Sequence, residues 1–137
     1  MSQRSTAIAS VAPIPRWITA FAILAAILLI TGAGISLFAP ERLVPLGVEI
    51  NSAVRVYAGY TFSRDLGLFA MLCLGLVRRS RSILLVMMGL FALINGCDAI
   101  MDMKESRIPV FAIAILLSAI AAMACARLSK ASSLLAL

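Results

Sequence analysis

The run WITAFAILAAILLITGAGISLFA, residues 17–39, decides the fold class, because it holds no charged side chain over its whole length. A helix rises about 1.5 Å per residue, so about 20 apolar residues cross the ~30 Å hydrocarbon core of a bilayer. A signal peptide is the alternative, but Leu37 stands where cleavage requires a small residue and a proline follows the run. We interpret the run as a retained membrane-spanning helix in which Gly32 and Gly34 allow close helix contact.

Three further apolar runs of similar length follow, at residues 53–77, 83–101 and 108–127. They are joined by the short connections 40–52, 78–81 and 102–109. In the last connection, Ser106 is predicted to cap the fourth helix and Pro109 to lie in its first turn. The pattern predicts an all-α, integral membrane four-helix bundle, with a single domain over residues 17–130 after a flexible N-terminal tail at 1–16.

The composition supports the same class of protein. Hydrophobic residues make up 63% of the chain and charged residues 13%, whereas soluble domains have about 45–50% and about 25%. A small domain cannot bury such an excess of apolar side chains in its core. The net charge of +6 also suits nucleic-acid binding, but the basic residues cluster at the ends of the apolar runs, where membrane orientation and anionic lipid account for them. The bilayer is therefore the predicted partner, and nucleic acid is not.

The basic residues also predict an orientation. One side of the four spans carries seven of them: Arg4, Arg16, Arg78, Arg79, Arg81, Arg127 and Lys130. The other side carries three: Arg42, Lys104 and Arg107. Because Lys and Arg accumulate on the cytoplasmic side, both termini are predicted to be cytoplasmic, in a multipass protein of the inner (plasma) membrane. The six acidic residues all lie in the outer loops or the spans: Glu41, Glu49, Asp65, Asp98, Asp102 and Glu105.

Charges also occur inside the second apolar run, in the stretch RVYAGYTFSRDLG, residues 55–67. At about 100° per residue, its polar side chains share one arc of about 140°: Tyr57, Tyr60, Thr61, Arg64 and Asp65. A charge that faces hydrocarbon at mid-span costs at least about 2.5–3.5 kcal/mol, so this arc is predicted to face other helices. Arg55 lies on the other side near the outer end, where its long stem lets the guanidinium reach the headgroups.

A second polar stripe runs along LINGCDAIMDMKE, residues 93–105. Its members are spaced 3, 4 and 3 residues apart: Asn95, Asp98, Asp102 and Glu105. In an antiparallel hairpin closed at 78–81, residues at equal depth have numbers that sum to about 160. Arg64 then lies within about one turn of Asp98, while Asp65 is level with Asn95 and Arg55 with Glu105. We predict an Arg64–Asp98 ion pair, with Asp65 either sharing Arg64 or accepting a hydrogen bond from Asn95.

The candidate site therefore comprises Arg55, Tyr57, Tyr60, Arg64, Asp65, Asn95, Asp98 and Asp102. Intramembrane charges are costly and usually functional, but an ion pair can also serve only to fix the register of two helices. For Asp102 and Glu105, the favoured interpretation is a solvated helix end. Tyr57 as an interfacial residue and Tyr60 as a core residue are alternatives to a role in the site.

Metal and cofactor chemistry has little support in the sequence. The chain contains no histidine, and Cys73, Cys97 and Cys125 stand alone within the apolar runs. The acidic residues of the third run have arginines nearby that compete with a cation, and neither a phosphate-binding glycine loop nor a nucleophile elbow is present. We predict no metal and no cofactor.

The segments RVYAG (55–59), RDLG (64–67) and NGCD (95–98) resemble a family of small bacterial and fungal membrane proteins that is catalogued as a domain of unknown function. That family is broadly similar in layout to the DoxX-like four-helix membrane proteins, and the resemblance covers residues 17–127. The resemblance implies a four-helix bundle with an arginine and aspartate site. In this chain the site would contain Arg55, Gly59, Arg64, Asp65 and Asp98. No reaction follows from it.

Three functions fit these observations. The polar cluster of Arg64 and Asp65 can hold the anionic or polar head of a small amphiphilic ligand that is bound or moved, and movement through so narrow a bundle would require a homo-oligomer. An isomerase or cyclase acting on a lipophilic substrate would use Asp65 or Asp98 as acid or base. An interaction subunit of a membrane complex would use the charges only for packing.

Overall fold

In the computed structural model, residues 13–42, Val44 and 49–133 are described, and they form four helices. These are α1 (Arg16–Phe38), α2 (Ser52–Val77), α3 (Arg81–Lys104) and α4 (Ile108–Ser133), with one 3₁₀ turn at Pro40–Arg42. Each of the four helices is long and apolar enough to cross a membrane. The predicted all-α, four-helix architecture is confirmed within the described residues.

The helix ends differ from the prediction by up to several residues. α3 continues to Lys104 and α4 to Ser133, because hydropathy marks where apolar character ends, whereas the backbone hydrogen bonds continue into the polar flanks. At the other end of the chain, Arg16 is the first residue of α1 and not part of the predicted tail. Residues 1–12 of that tail lie outside the described residues.

The α2–α3 and α3–α4 turns share one backbone motif, in which a left-handed residue ends a helix. Arg79 has φ 48° and Ser106 has φ 56°. At the first turn, the amide of Ser80 donates to Gly75 O at 3.0 Å and that of Arg79 donates to Leu76 O at 3.2 Å, which is the hydrogen-bond pattern of a Schellman C-cap. Ser80 also caps α3, because its side chain accepts from the amide of Ile83.

The second turn corrects the prediction for Ser106. Its amide donates to Met103 O at 3.2 Å, and the amide of Arg107 donates to Asp102 O at 2.9 Å. Ser106 therefore ends α3 and does not cap α4, since an N-cap needs a β-region backbone and Ser106 is left-handed. Pro109 lies in the first turn of α4, as predicted.

The bundle has a basic end, formed by the start of α1, the α2–α3 turn and the last turns of α4, and an opposite end. Apolar side chains of all four helices pack near the basic end, and the largest that are fully buried are Ile18, Leu72, Leu84, Met88 and Leu128. Phe21 and Phe91 meet edge to face there, with ring centroids 6.1 Å apart. Alanines at 22, 25, 121 and 124 are also buried in this cluster, and their small side chains allow the helices to approach closely.

Polar contacts between helices fix the position of α3 against α4. The Ser118 hydroxyl on α4 donates to Ala92 O at 2.8 Å, and the Arg81 Nε donates to Leu128 O at 3.1 Å. α3 packs most closely with α4, and α1 with α2, while α2 and α3 approach each other less closely. The looser α2–α3 approach leaves room for the polar groups on these two helices.

Candidate functional site

The buried face of α2 carries one acidic residue. Ala58, Asp65 and Leu72 are buried, and their spacing of seven residues, or two helical turns, places them on one stripe. This stripe is rotated by about 70° from the centre of the polar arc predicted from the sequence. Tyr57 and Tyr60 are consequently exposed, and the prediction that the whole polar arc faces other helices is wrong.

Asp65 is accommodated by a glycine on α1. A Cβ built at Gly32 would stand 2.9 Å from Asp65 Oδ2, so α1 leaves room for the carboxylate only because residue 32 has no side chain. The other oxygen, Oδ1, accepts from Arg64 Nε at 3.0 Å. Close approach of α1 therefore explains why Asp65 and not a tyrosine faces inward.

Arg64 also reaches α3. Its Nη1 lies 3.8 Å from Asp98 Oδ1, so the predicted pair of Arg64 and Asp98 is confirmed as an ion pair at the long end of the distance range. The side chains of Arg64 and Asp98 are 41% and 47% exposed, in contrast to the buried Asp65. Asp98 accepts no hydrogen bond within the described residues, so its carboxylate keeps its full capacity to accept.

Asn95 faces the same region but does not bind Asp65. Its Nδ2 donates to Phe91 O at 2.8 Å within α3. Of the two predicted roles for Asp65, the one formed is therefore the share in Arg64. Asn95 nevertheless lines the cavity beside these charges.

This pocket, here called the polar cavity, lies between the four helices, is open to the surface of the bundle and has a volume of about 180 Å³. Its polar lining is Arg64, Asp65, Asn95 and Asp98, and its apolar lining is Leu28, Leu29, Leu68, Phe91, Ile94 and Leu117. Arg64 precedes Arg78 by 14 residues, which places it roughly 21 Å from the basic end along α2. The charges therefore lie well inside the apolar length of the bundle.

The remaining predicted residues lie outside the polar cavity. Tyr57 and Tyr60 border a separate surface groove of about 390 Å³ on α2. Arg55 and Glu105 were predicted to lie at equal depth in the α2–α3 hairpin. Both are exposed and they form no ion pair within the described residues. Asp102 Oδ1 forms an ion pair with Arg107 Nη1 at 3.4 Å, and the Asp102 side chain is only 13% exposed. The solvated helix end that was expected for Asp102 is therefore wrong, because the α3–α4 turn folds Arg107 back onto it.

Sequence reasoning missed the contributions of α1 and α4 to the polar cavity. Leu28 and Leu29 come from α1 and Leu117 comes from α4. The short 78–81 turn allowed the register of α2 against α3 to be counted, but the longer 40–52 connection gives no such count for α1. A glycine at mid-span was the available signal for Gly32, and it indicated close contact without identifying the partner.

No group of three or more His, Cys, Asp or Glu residues with the geometry of a metal site occurs among the described residues. Cys73, Cys97 and Cys125 are free thiols. Comparison with known proteins adds no assignment, because no family model, no curated protein and no solved structure matches the chain. The resemblance to small four-span proteins stays a prediction.

Proposed function

We propose that this protein spans the inner membrane with both termini in the cytoplasm and binds a small amphiphilic ligand whose polar head enters the polar cavity. The observation that carries the proposal is the charged triad Asp65–Arg64–Asp98, which borders a cavity inside four helices of membrane-spanning length. Charges at this depth are costly, and side chains that bear the cost usually serve a pathway or a ligand.

The distribution of aromatic residues supports insertion in the membrane. Trp17 is exposed at the basic end, and Tyr57 and Tyr60 are exposed toward the other end of the bundle. Tyr57 precedes Arg78 by 21 residues, an axial distance of roughly 31 Å. Exposed tryptophan and tyrosine in two bands about 30 Å apart are typical of the two interfaces of a bilayer.

The inward and outward members of the triad divide two tasks. Asp65 is buried against Gly32 and holds Arg64 in place through Nε. The terminal nitrogens of Arg64 donate no hydrogen bond within the described residues, and neither does Asp98 accept one. A head group that carries an acceptor for Arg64 and a donor for Asp98 would satisfy both side chains. We expect an ion pair that only fixes the register of two helices to be closed and buried instead.

The size of the polar cavity limits what it can hold. A volume of about 180 Å³ equals the share of about six water molecules in the liquid. It therefore suits a head group of a few heavy atoms, with the apolar part of the ligand lying outside it along the helices. Transport of the ligand across the bilayer would need more space than one chain provides and would require a homo-oligomer.

The binding test is an untargeted mass-spectrometric survey of the molecules retained by the purified protein, its Arg64→Gln variant and its Arg55→Gln variant. Arg55 is the matched control, since it is an exposed arginine on the same helix that borders no polar cavity residue. A hydrogen bond to a charged group contributes about 1.5–3 kcal/mol, so Arg64→Gln should lower retention by about tenfold or more. Equal retention by all three proteins would refute the proposal.

Topology is tested separately with reporter fusions. A reporter at Leu137 should report the cytoplasm, and one inserted at Val48 should report the outer side, because seven basic residues lie on one side and three on the other. Both positions lie outside the described residues. A cytoplasmic signal at Val48 or an outer signal at Leu137 would contradict the orientation.

Catalysis on a lipophilic substrate is the second candidate, and the Asp98 carboxylate favours it, because it accepts no hydrogen bond within the described residues. A general acid or base needs a titratable group that faces the substrate, and Asp98 lines the polar cavity whereas Asp65 is occupied by Arg64. Conversion of the retained ligand should then stop in Asp98→Asn and continue in Asp102→Asn. Binding without conversion by the wild-type protein would exclude the enzyme and leave the binding function.

A further inference from the structure

A second groove, here called the basic groove, lies at the basic end between the start of α1 and the α2–α3 turn. Its volume is about 690 Å³, which falls within the usual range of about 300–1,000 Å³ for ligand pockets. Ile23, Leu76 and Leu84 form an apolar wall toward the bundle, and Thr19, Arg79 and Arg81 form a polar rim. The groove therefore changes from apolar to cationic along its depth.

None of the chain's Asp or Glu residues belongs to the segments that form the basic end. All six Asp and Glu residues of the chain lie elsewhere: Glu41, Glu49, Asp65, Asp98, Asp102 and Glu105. The guanidinium of Arg81 donates to the carbonyls of Leu128 at 3.1 Å and Arg127 at 3.4 Å. These carbonyl oxygens hold the Arg81 guanidinium in position beside the groove.

Arg79 is placed at the rim by the turn itself. It occupies the left-handed position that ends α2, with φ 48°, and the Schellman hydrogen bonds hold its backbone. Its side chain is exposed and forms no ion pair within the described residues. The turn thus presents a guanidinium with its donors available at the level where the bundle would meet the membrane surface.

We propose that the basic groove binds an anionic phospholipid, with the phosphate at Arg79 and an acyl chain along Ile23, Leu76 and Leu84. Guanidinium groups bind phosphate through paired hydrogen bonds, and the cytoplasmic leaflet supplies anionic lipid to basic pockets between helices. The apolar wall continues into the lipid-facing surface, which suits an acyl chain and not a free phosphate. This inference requires insertion in the membrane, but it is independent of the polar cavity.

The test uses the full-length protein in mixed micelles that contain equal amounts of phosphatidylglycerol and phosphatidylcholine, and native mass spectrometry counts the lipids that stay bound. The wild-type protein should retain phosphatidylglycerol in preference. One basic residue near a membrane surface contributes about 1 kcal/mol, so Arg79→Gln should lower the preference by about fivefold. A wild-type protein that retains both lipids equally would overturn the proposal.

Arg78→Gln is the matched control, because Arg78 is the adjacent exposed arginine and does not line the basic groove. It removes the same charge and should leave most of the preference in place. If Arg78→Gln and Arg79→Gln lower the preference equally, the lipid responds to the general positive field and the assigned groove is wrong.

A second variant tests whether lipid occupies the basic groove at all, without changing charge. Thr19→Phe places a larger side chain in the groove and should reduce phosphatidylglycerol retention, while Arg42→Gln at the opposite end should not. Far-UV circular dichroism confirms that each variant keeps its helices. Unchanged retention by a folded Thr19→Phe protein would show that the acyl chain does not lie in this groove.

Discussion

The two halves of the bundle bury different kinds of side chain. In the half toward the basic end, the buried residues include large apolar side chains such as Ile18, Leu84 and Met88. In the other half, Leu29 is the one large apolar side chain among the described residues that are buried, and the rest are small or polar: Ala33, Ser36, Ala58, Asp65, Ala99 and Ala114. The packing of large apolar side chains that holds the four helices together therefore lies mainly in the first half. The second half buries few large side chains and contains the polar cavity. The difference shows that large apolar side chains are concentrated toward the basic end, whereas the polar cavity lies farther along the bundle.

The strongest test of this difference is the removal of Arg64 from the half that contains the polar cavity, here called the polar half. Arg64→Leu leaves Asp65 buried without a counter-ion, which should destabilise the protein by about 3–5 kcal/mol unless the carboxyl takes up a proton. Thermal unfolding in lipid nanodiscs measures the loss. Because Asp98 is about half exposed and Asp65 is buried, a second change at Asp65 should restore more stability than one at Asp98.

The double variants make that comparison. Arg64→Leu with Asp65→Asn should be clearly more stable than Arg64→Leu with Asp98→Asn, and both losses should be smaller than the sum of the single changes. Additive losses in both pairs would mean that the triad does not act as a unit. If the double variant that includes Asp65→Asn regains stability but not ligand retention, the triad serves the site and not only the fold.

The next largest loss of stability is expected in the half toward the basic end, here called the packed half. Leu84 is fully buried in the apolar cluster, and Leu84→Ala should cost about 2–5 kcal/mol through the cavity that it leaves. Leu93→Ala on the same helix is the matched control, because Leu93 is exposed, and its loss should be small. Retention of the polar-cavity ligand by Leu84→Ala, measured below its unfolding temperature, should be unchanged. Phospholipid at the basic groove, which Leu84 also lines, is counted separately. A specific loss of ligand in this variant would contradict the separation of the two halves.

A smaller effect is expected where α1 meets Asp65. Gly32→Ala places a Cβ 2.9 Å from Asp65 Oδ2, so the carboxylate or α1 must shift, at a cost of about 1–3 kcal/mol. Gly34→Ala has nothing within 4 Å of the added Cβ and should be neutral or stabilising by up to about 1 kcal/mol, because alanine favours the helix. Equal unfolding temperatures for the two variants would show that Gly32 does not make room for Asp65.

The sequence was sufficient for every feature that depends on distance along a helix. The four spans follow from apolar length, and the proximity of Arg64 to Asp98 follows from counting outward from the short 78–81 turn. The rotation of α2 about its own axis could not be predicted from the sequence in the same way, because it depends on how α1 packs against α2. That packing is decided by the absence of a side chain at Gly32, so Tyr57 and Tyr60 were placed on the wrong side.

The turns show a related limit. Ser106 has the chemistry of an N-cap, but the α3–α4 turn needs a left-handed residue to end α3, and Ser106 takes that position. The same turn carries Arg107 back toward Asp102. Residue preferences at single positions therefore predicted the wrong role for Ser106 and the wrong environment for Asp102. α3 ends at Lys104 and α4 begins at Ile108, so the three residues between them must both end one helix and begin the next.

The smallest effect is expected from this last ion pair. The Arg107 and Asp102 side chains are 38% and 13% exposed, with Nη1 and Oδ1 3.4 Å apart. This pair lies at the α3–α4 turn, where water can hydrate Asp102 once the guanidinium is removed, whereas Asp65 lies in the middle of α2. Pairs that water can reach contribute about 0–1 kcal/mol and weaken with salt, so Arg107→Gln should lower the unfolding free energy by no more than about 1 kcal/mol. Arg42→Gln, on the nearby 3₁₀ turn, is the control because Arg42 forms no ion pair within the described residues. A loss of several kcal/mol in Arg107→Gln, comparable to that of Arg64→Leu, would mean that Asp102 is a buried charge of the same kind as Asp65. The polar half would then contain two buried acidic residues, Asp65 and Asp102. The polar cavity would not be the single place in this half where apolar packing is interrupted.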